Sequence, residues 1–154
     1  MLRVRYVVRL CGTVSLLALA TLMARAAPNS DVTVEQMKAR VSSASVGDRP
    51  RLCVQIAQKQ LAETDKLYAA GDLEKGQAAL LDVVTYCELA RDYAIQSRKY
   101  QKQSEIAVRT MTRRISELMH SLGQNDQAPL KDAVDRLQRV RDDLLKAMFP
   151  KGAK

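Results

Sequence analysis

Apolar residues recur at intervals of three and four along most of the chain after residue 33. That spacing places them on one face of a helix, whereas no stretch alternates between apolar and polar positions as a strand would. Trp is absent, one Phe is present, and most residues are good helix formers. We predict an all-α protein of antiparallel helical hairpins that share one long central helix. This is an elongated three-helix bundle with a short additional N-terminal helix.

Local signals mark the ends of the predicted helices. Thr33 and Gln36 fit a capping box that opens a short helix, and a linker that contains Gly47 follows it over residues 42–49. The first long helix begins near Pro50 and ends at Gly71, where Asp72 is placed to cap the next helix. The last helix runs from Pro129 to Pro150, because proline is tolerated in a first turn and stops a helix beyond its end.

The central helix is predicted to be continuous, because residues 77–122 contain neither Gly nor Pro. The polar stretch Gln96–Ser104 offers almost nothing to bury. An exposed polar stretch is tolerated inside a long helix when it bridges two packed ends. The alternative is a bend at this stretch that folds the two hairpins together.

The N-terminus has the pattern of a cleavable secretory signal. Arg3, Arg5 and Arg9 precede an uncharged apolar run from Leu10 to Met23, and the small residues of Ala24-Arg25-Ala26 follow. The run is shorter than the roughly 20 apolar residues that a spanning helix needs. We therefore expect export to the periplasm or the extracellular space, with no transmembrane anchor after cleavage.

Removal of residues 1–26 lowers the positive charge. The chain has 25 Lys and Arg against 17 Asp and Glu, and four arginines but no acids lie in the signal, so 21 − 17 leaves +4. That mild excess and the predicted export argue against a nucleic-acid partner. The remaining chain divides into an N-terminal segment over 27–49, a helical bundle domain over 50–149 and a disordered tail over 150–154.

Cys53 and Cys87 lie on either side of the Gly71 turn, 18 residues before it and 16 after it. In an antiparallel hairpin such residues lie nearly level, and an oxidising compartment would preserve a disulfide between them. The alternative is two small buried side chains. Redox catalysis is disfavoured, because the chain has no CxxC motif.

The turn between the first two long helices reads Leu67-Tyr-Ala-Ala-Gly71-Asp72-Leu73-Glu74-Lys75-Gly76. It resembles the inter-helix turn of tetratricopeptide repeats, although Gly76 stands where that family prefers Ala. The resemblance covers about residues 54–87, with no second copy at a 34-residue interval, whereas a repeat array needs about three units. It implies at most one hairpin with a helical protein-binding surface.

Basic residues form the clearest surface pattern. On a continuous central helix, five cations fall within about 40° of one line opposite the apolar stripe. Such a stripe would hold an anionic partner, such as lipid headgroups, cell-wall polymer or an acidic protein, and the alternative is a solvated helix face. The candidate anionic-partner stripe consists of Arg91, Arg98, Lys102, Arg109 and Arg113.

Other chemistry is sparse. Glu117 and His120 share a helix face with the spacing of di-iron ligands, but His120 is the single histidine, so a complete site would require a second subunit. We find no nucleophile–base set and no phosphate-binding loop, and we predict no cofactor, no metal site and no enzymatic activity.

These features together predict an exported, non-enzymatic helical interaction or scaffold protein of the cell envelope. Its partner would be a protein or an anionic envelope component, and a homodimer is compatible with the pattern. Two alternatives stay open: a helical bundle that carries a small ligand or a metal, and an exported chaperone.

Overall fold

The computed structural model of the protein describes residues 32–150, and this part of the chain contains helices and no strands. The all-α prediction is confirmed. The predicted signal over 1–26 and residues 151–154 of the predicted tail lie outside the described residues. The helices are α1 (Val34–Ser43), α2 (Arg49–Ala69), α3 (Leu73–Ser97), α4 (Gln101–His120) and α5 (Ala128–Met148), with a 3₁₀ turn over Gln124–Asp126.

Most helix ends follow from local chemistry. The Thr33 hydroxyl accepts from the backbone N–H of Gln36 at 3.2 Å, while the Gln36 side chain accepts from the Thr33 N–H at 3.1 Å. This is the predicted capping box. Asp72 caps α3 by accepting from the N–H of Lys75, and Gly71 before it has φ +78°. Glycine adopts this left-handed conformation without a steric cost.

The predicted continuous central helix is wrong, because the chain reverses direction between α3 and α4. Arg98 and Tyr100 have φ values of 56° and 65°, a conformation that side chains with a Cβ adopt rarely. The Ser97 hydroxyl accepts from the N–H of Lys99 at 3.3 Å within this turn. Only residues 98–100 of the polar stretch are not helical, so the alternative of a bend applies.

Ion pairs between helices establish their directions. Arg136 of α5 donates to Glu88 of α3 through two bonds of 3.0 and 2.9 Å, and Arg91 of α3 donates to Asp143 of α5 at 3.2 Å. Residue numbers rise together in the two pairs, so α3 and α5 are parallel. Their N-terminal ends therefore lie at the same end of the bundle.

The other two helices run the opposite way. Arg141 near the end of α5 donates to Glu105 near the start of α4 at 2.8 Å, which makes these helices antiparallel. Arg114 of α4 donates to Asp65 of α2 at 3.0 Å, near the C-terminal half of both. Helices α2–α5 thus run up, down, up and down as a four-helix bundle, instead of the expected elongated three-helix arrangement.

Two groups of buried side chains hold the helices together. The larger group is the main core, formed by helices α2–α5. The smaller group packs α1 against α2 and α3. The main core includes Ala57, Leu61, Leu80, Val83, Val84, Cys87, Val108, Met111, Ile115, Leu130, Leu137, Val140 and Leu144. The smaller one includes Met37, Val41, Cys53, Val54, Ile56 and Ala90.

Candidate functional site

The predicted basic stripe is divided by the reversal of the chain. Arg91 lies on α3, whereas Arg109 and Arg113 lie on the antiparallel α4. All three form ion pairs: Arg91 with Asp92 and Asp143, Arg109 with Glu105, and Arg113 with Glu117. Each of the three therefore lies within ion-pair distance of an acid, although Glu105 pairs more closely with Arg141 and Glu117 is shared with Arg114.

Arg98 and Lys102, the other two stripe residues, lie in the α3–α4 turn and the first turn of α4. Both are exposed, and neither forms an ion pair within residues 32–150. The structure therefore separates the five predicted cations into three that are paired and two that are not. The two unpaired residues lie together at one end of the bundle.

Three further cations lie at this end, which also carries the α1–α2 loop. The Lys99 side chain lies against Gly47 of that loop. A Cβ added at Gly47 would be 3.0 Å from the Lys99 Cδ. Arg40 and Arg51 line one surface depression of about 350 Å³ beside the same loop. All are exposed and have no ion pair among the described residues. We define the basic end as Arg40, Arg51, Arg98, Lys99 and Lys102.

The basic end has an uncompensated positive charge. The segments 39–52 and 95–103 that form it carry six Lys and Arg but a single acid, Asp48, which accepts from the Ser45 hydroxyl at 2.6 Å. The N-termini of α2 and α4 also lie here, and neither has a side-chain cap or an acid in its first turn. Helix N-termini carry partial positive charge, but the C-termini of α3 and α5 lie at the same end and carry partial negative charge, so the positive excess comes from the side chains.

Arg49, the sixth cation, stabilises the loop instead. Its guanidinium donates to the carbonyl oxygens of Ser42 and Ala44, both at 3.1 Å, and lies 5.2 Å from the centre of the Tyr93 ring. These contacts fasten the α1–α2 loop to α3. The loop is thus held in place beside the α3–α4 turn.

Sequence reasoning missed Arg40, Arg51 and Lys99 as part of the site. The predicted stripe followed one face of a single helix, so it could not include Arg40 and Arg51 of the preceding helices, and Lys99 lies off that face. The sequence contains one indication of the site. Residues 95–103 include Arg98, Lys99 and Lys102 but no Asp or Glu, which predicts a positively charged surface.

A groove between α2 and α4 opens beside the basic end. It consists of two adjoining cavities of about 540 and 380 Å³, which share the side chains of Gln58, Ala107 and Thr110. Arg51 and Tyr100 line the cavity nearer to the basic end, and Met111 lines the farther one. The groove is thus an extension of the basic end along the bundle.

The predicted disulfide is not formed: Cys53 and Cys87 are free thiols, and both are completely buried. Cys87 belongs to the main core, whereas Cys53 packs in the cluster under α1, so the two side chains serve different contacts. Burial raises the pKa of Cys53 to about 11 and also raises that of Cys87. Both thiols therefore act as small hydrophobic side chains.

Glu117 and His120, the weak metal candidates, are engaged elsewhere. Glu117 lies within ion-pair distance of Arg113 and Arg114, and His120 Nδ1 donates to the Ser116 carbonyl oxygen. Within residues 32–150 no group of three or more His, Cys, Asp or Glu side chains is placed to hold a metal ion.

None of the helices over residues 32–150 is both long and apolar enough to cross a membrane. Comparison of the chain with protein-family models, with curated proteins and with solved structures finds no match.

Proposed function

We propose that the protein is an exported, non-enzymatic helical interaction protein of the cell envelope that holds an anionic partner at the basic end. The observation that carries this proposal is the contrast between paired and unpaired cations. Arg91, Arg109 and Arg113 each form an ion pair, whereas the five cations of the basic end form none among the described residues, and the nearby acid Asp48 bonds to Ser45 instead.

Electrostatics supports an anionic partner at this surface. The cations of the basic end lie close together without ion pairs and repel one another, so their proximity raises the free energy of the isolated protein. An anion that binds there removes this repulsion and also interacts with the positive ends of α2 and α4. Such attraction acts over about 10 Å at moderate salt and speeds the encounter with a partner.

The assignment to the envelope rests on the sequence of residues 1–26. The arginines at its start, the apolar run and Ala24-Arg25-Ala26 support export to the periplasm or the extracellular space. The TPR-like turn at Gly71 and Asp72 supports a helical protein-binding surface in the same way, as a resemblance. The proposed role therefore needs no catalytic group.

Affinity capture of the tagged protein from cross-linked envelopes tests the proposal. The wild type is compared with a basic-end variant, Arg51→Ala/Arg98→Ala/Lys102→Ala, and with a matched variant of exposed, ion-paired cations outside the groove, Lys66→Ala/Lys75→Ala. We expect one set of partners with the wild type and the matched variant, and its loss with the basic-end variant. Equal partner recovery from all three proteins would refute an adaptor role for this surface.

A further inference from the structure

We infer that the groove between α2 and α4 docks an amphipathic helix of a partner protein whose apolar stripe is flanked by acidic residues. This inference rests on the proposed function, because it gives the anionic partner of the basic end a chemical class and a second contact. The groove and the basic end share Arg51, so one partner would contact both.

The length of the groove suits a helix of several turns. Its walls extend from Arg51 to Leu61 on α2, about 15 Å, and from Tyr100 to Glu117 on α4, about 25 Å, at 1.5 Å per residue. The two cavities are open to solvent along this length. A small ligand is instead enclosed over most of its surface, so an extended partner fits this shape better.

The floor and the edge of the groove are suited to an apolar stripe. Val54, Leu61 and Met111 form the floor, and the exposed Ile106 and Tyr100 stand at the edge with 42 % and 37 % of their surfaces exposed. Apolar anchors at helical spacing are the usual contacts in helix-in-groove recognition. The neutral polar side chains beside them are suited to a polar rim: Gln55, Gln58, Gln103 and Thr110.

The charges along the groove favour acids on the partner. Arg51, Arg113 and Arg114 line it, against a single acid, Glu117. Arg113 and Arg114 already pair with Glu117, and Arg114 also pairs with Asp65, but Arg51 has no ion pair within residues 32–150. We therefore expect the partner's acids to concentrate beside Arg51.

Segments of this chain do not suit the groove. After the predicted cleavage only residues 27–31 precede the described part, and five residues form fewer than two helical turns. Helices α2–α5 already bury their apolar stripes in the main core. The remaining candidate occupant is a helix of a different protein that presents acidic residues to the arginines of the groove.

Two designed peptides of about 18 residues serve as probes, each with leucines at helical spacing, flanked by glutamates in one and by lysines in the other. Fluorescence anisotropy measures their binding to the protein. We expect the glutamate peptide to bind at least about tenfold more tightly than the lysine peptide. Ile106→Glu and Arg51→Glu should each weaken it by about tenfold or more, because each places a negative charge against the glutamates that flank the peptide's apolar stripe.

Leu81→Glu is the matched control, because Leu81 is an apolar side chain 56 % exposed on α3, away from this groove. It should leave the affinity within about twofold. Circular dichroism and thermal unfolding check that all variants fold, as expected for exposed positions. Equal binding of both peptides, no binding of either, or the same affinity in Ile106→Glu and wild type would overturn the inference. The inference would also be overturned if the wild type bound anionic vesicles but neither peptide, and if Ile106→Glu abolished the vesicle binding. That result would favour a lipid surface as the occupant.

A parallel titration with short-chain inorganic polyphosphate separates this inference from the proposed function. If polyphosphate binding depends on Arg98 and Lys102 while the peptide results fail, only the groove assignment falls. If polyphosphate binding is independent of Arg98 and Lys102, the proposed function falls as well. We expect Ile106→Glu to lose peptide binding and to keep polyphosphate binding.

Discussion

The ring of Tyr68 near the end of α2 lies directly against the backbone of Gly76 in the first turns of α3. A Cβ at residue 76 would be 2.9 Å from Cε2 of this ring and 3.0 Å from Cδ2. Tyr68 is buried, and the close approach brings the two helices together beside the Gly71 turn. This contact explains why residue 76 is glycine.

Gly76→Ala should destabilise the protein despite the better helix propensity of alanine. The overlap with a buried ring costs about 1–3 kcal/mol, against a propensity gain of about 1 kcal/mol. Urea unfolding measures the difference. Gly47→Ala is a matched control, because its new Cβ would meet the flexible end of the Lys99 side chain. In a Tyr68→Leu background the penalty at residue 76 should largely vanish, and an unchanged penalty would contradict the packing explanation.

The buried carboxylate of Glu105 depends on Arg141 much more than on Arg109. Arg141 Nε donates to Glu105 Oε1 at 2.8 Å, whereas Arg109 Nε lies 3.9 Å away and its side chain is 58 % exposed. Arg141→Met should lower the free energy of unfolding by about 2–3 kcal/mol, because it leaves a buried charge poorly paired. Arg109→Met should cost at most about 0.5 kcal/mol. Equal losses in urea unfolding would show that the two arginines contribute alike.

Cys53 and Cys87 should titrate as free thiols after unfolding without reductant. In the chain cleaved after Ala26, we expect two thiols per molecule in denaturant, with native reaction at least about a hundredfold slower, because reaction requires local opening. Leu81→Cys supplies an exposed thiol for comparison. Absence of reactive thiols in the unreduced, unfolded protein would instead demonstrate the disulfide that the structure lacks.

The thiols of Cys53 and Cys87 should make the protein less stable at alkaline pH. Their pKa values rise on folding, that of Cys53 from 9.0 to about 11. Above pH 9 the unfolded chain therefore loses thiol protons that the folded chain keeps, and the free energy of unfolding falls by up to about 1.4 kcal/mol per pH unit for each thiol. Urea unfolding with reductant between pH 8 and about 10.5 measures this slope. Cys53→Ala/Cys87→Ala should flatten it, and an unchanged slope would assign the effect to other groups.

Local chemistry made much of the fold predictable. The capping box at Thr33, the cap at Asp72 and the proline at residue 129 each act within one helical turn, so their signals are visible in the sequence. The reversal at Arg98 and Tyr100 was not predictable in this way. It uses left-handed backbone at two residues with large side chains, without the glycine or asparagine that usually marks such a turn.

The candidate site was predictable only in part. Arg98 and Lys102 were identified from sequence because they share a helix face with the other stripe residues, whereas Arg40 and Arg51 lie on other helices, which the pattern of a single helix does not include. The cysteines illustrate the same limit. Their distances from Gly71 predicted that they lie nearly level, but not that Cys53 and Cys87 would be free thiols in different clusters.

Polyphosphate binding as a function of salt tests the central claim, which is that the basic end holds an anionic partner. Affinity is measured by titration of the wild type, of Arg98→Gln/Lys102→Gln and of the matched variant Arg109→Gln/Arg113→Gln. We predict that the basic-end variant binds at least about tenfold more weakly and that the slope of log affinity against log salt falls by about two, one for each lost contact. The matched variant should change affinity by less than about twofold, because its arginines are already paired. Equal losses in both variants, or no loss in either, would contradict the account.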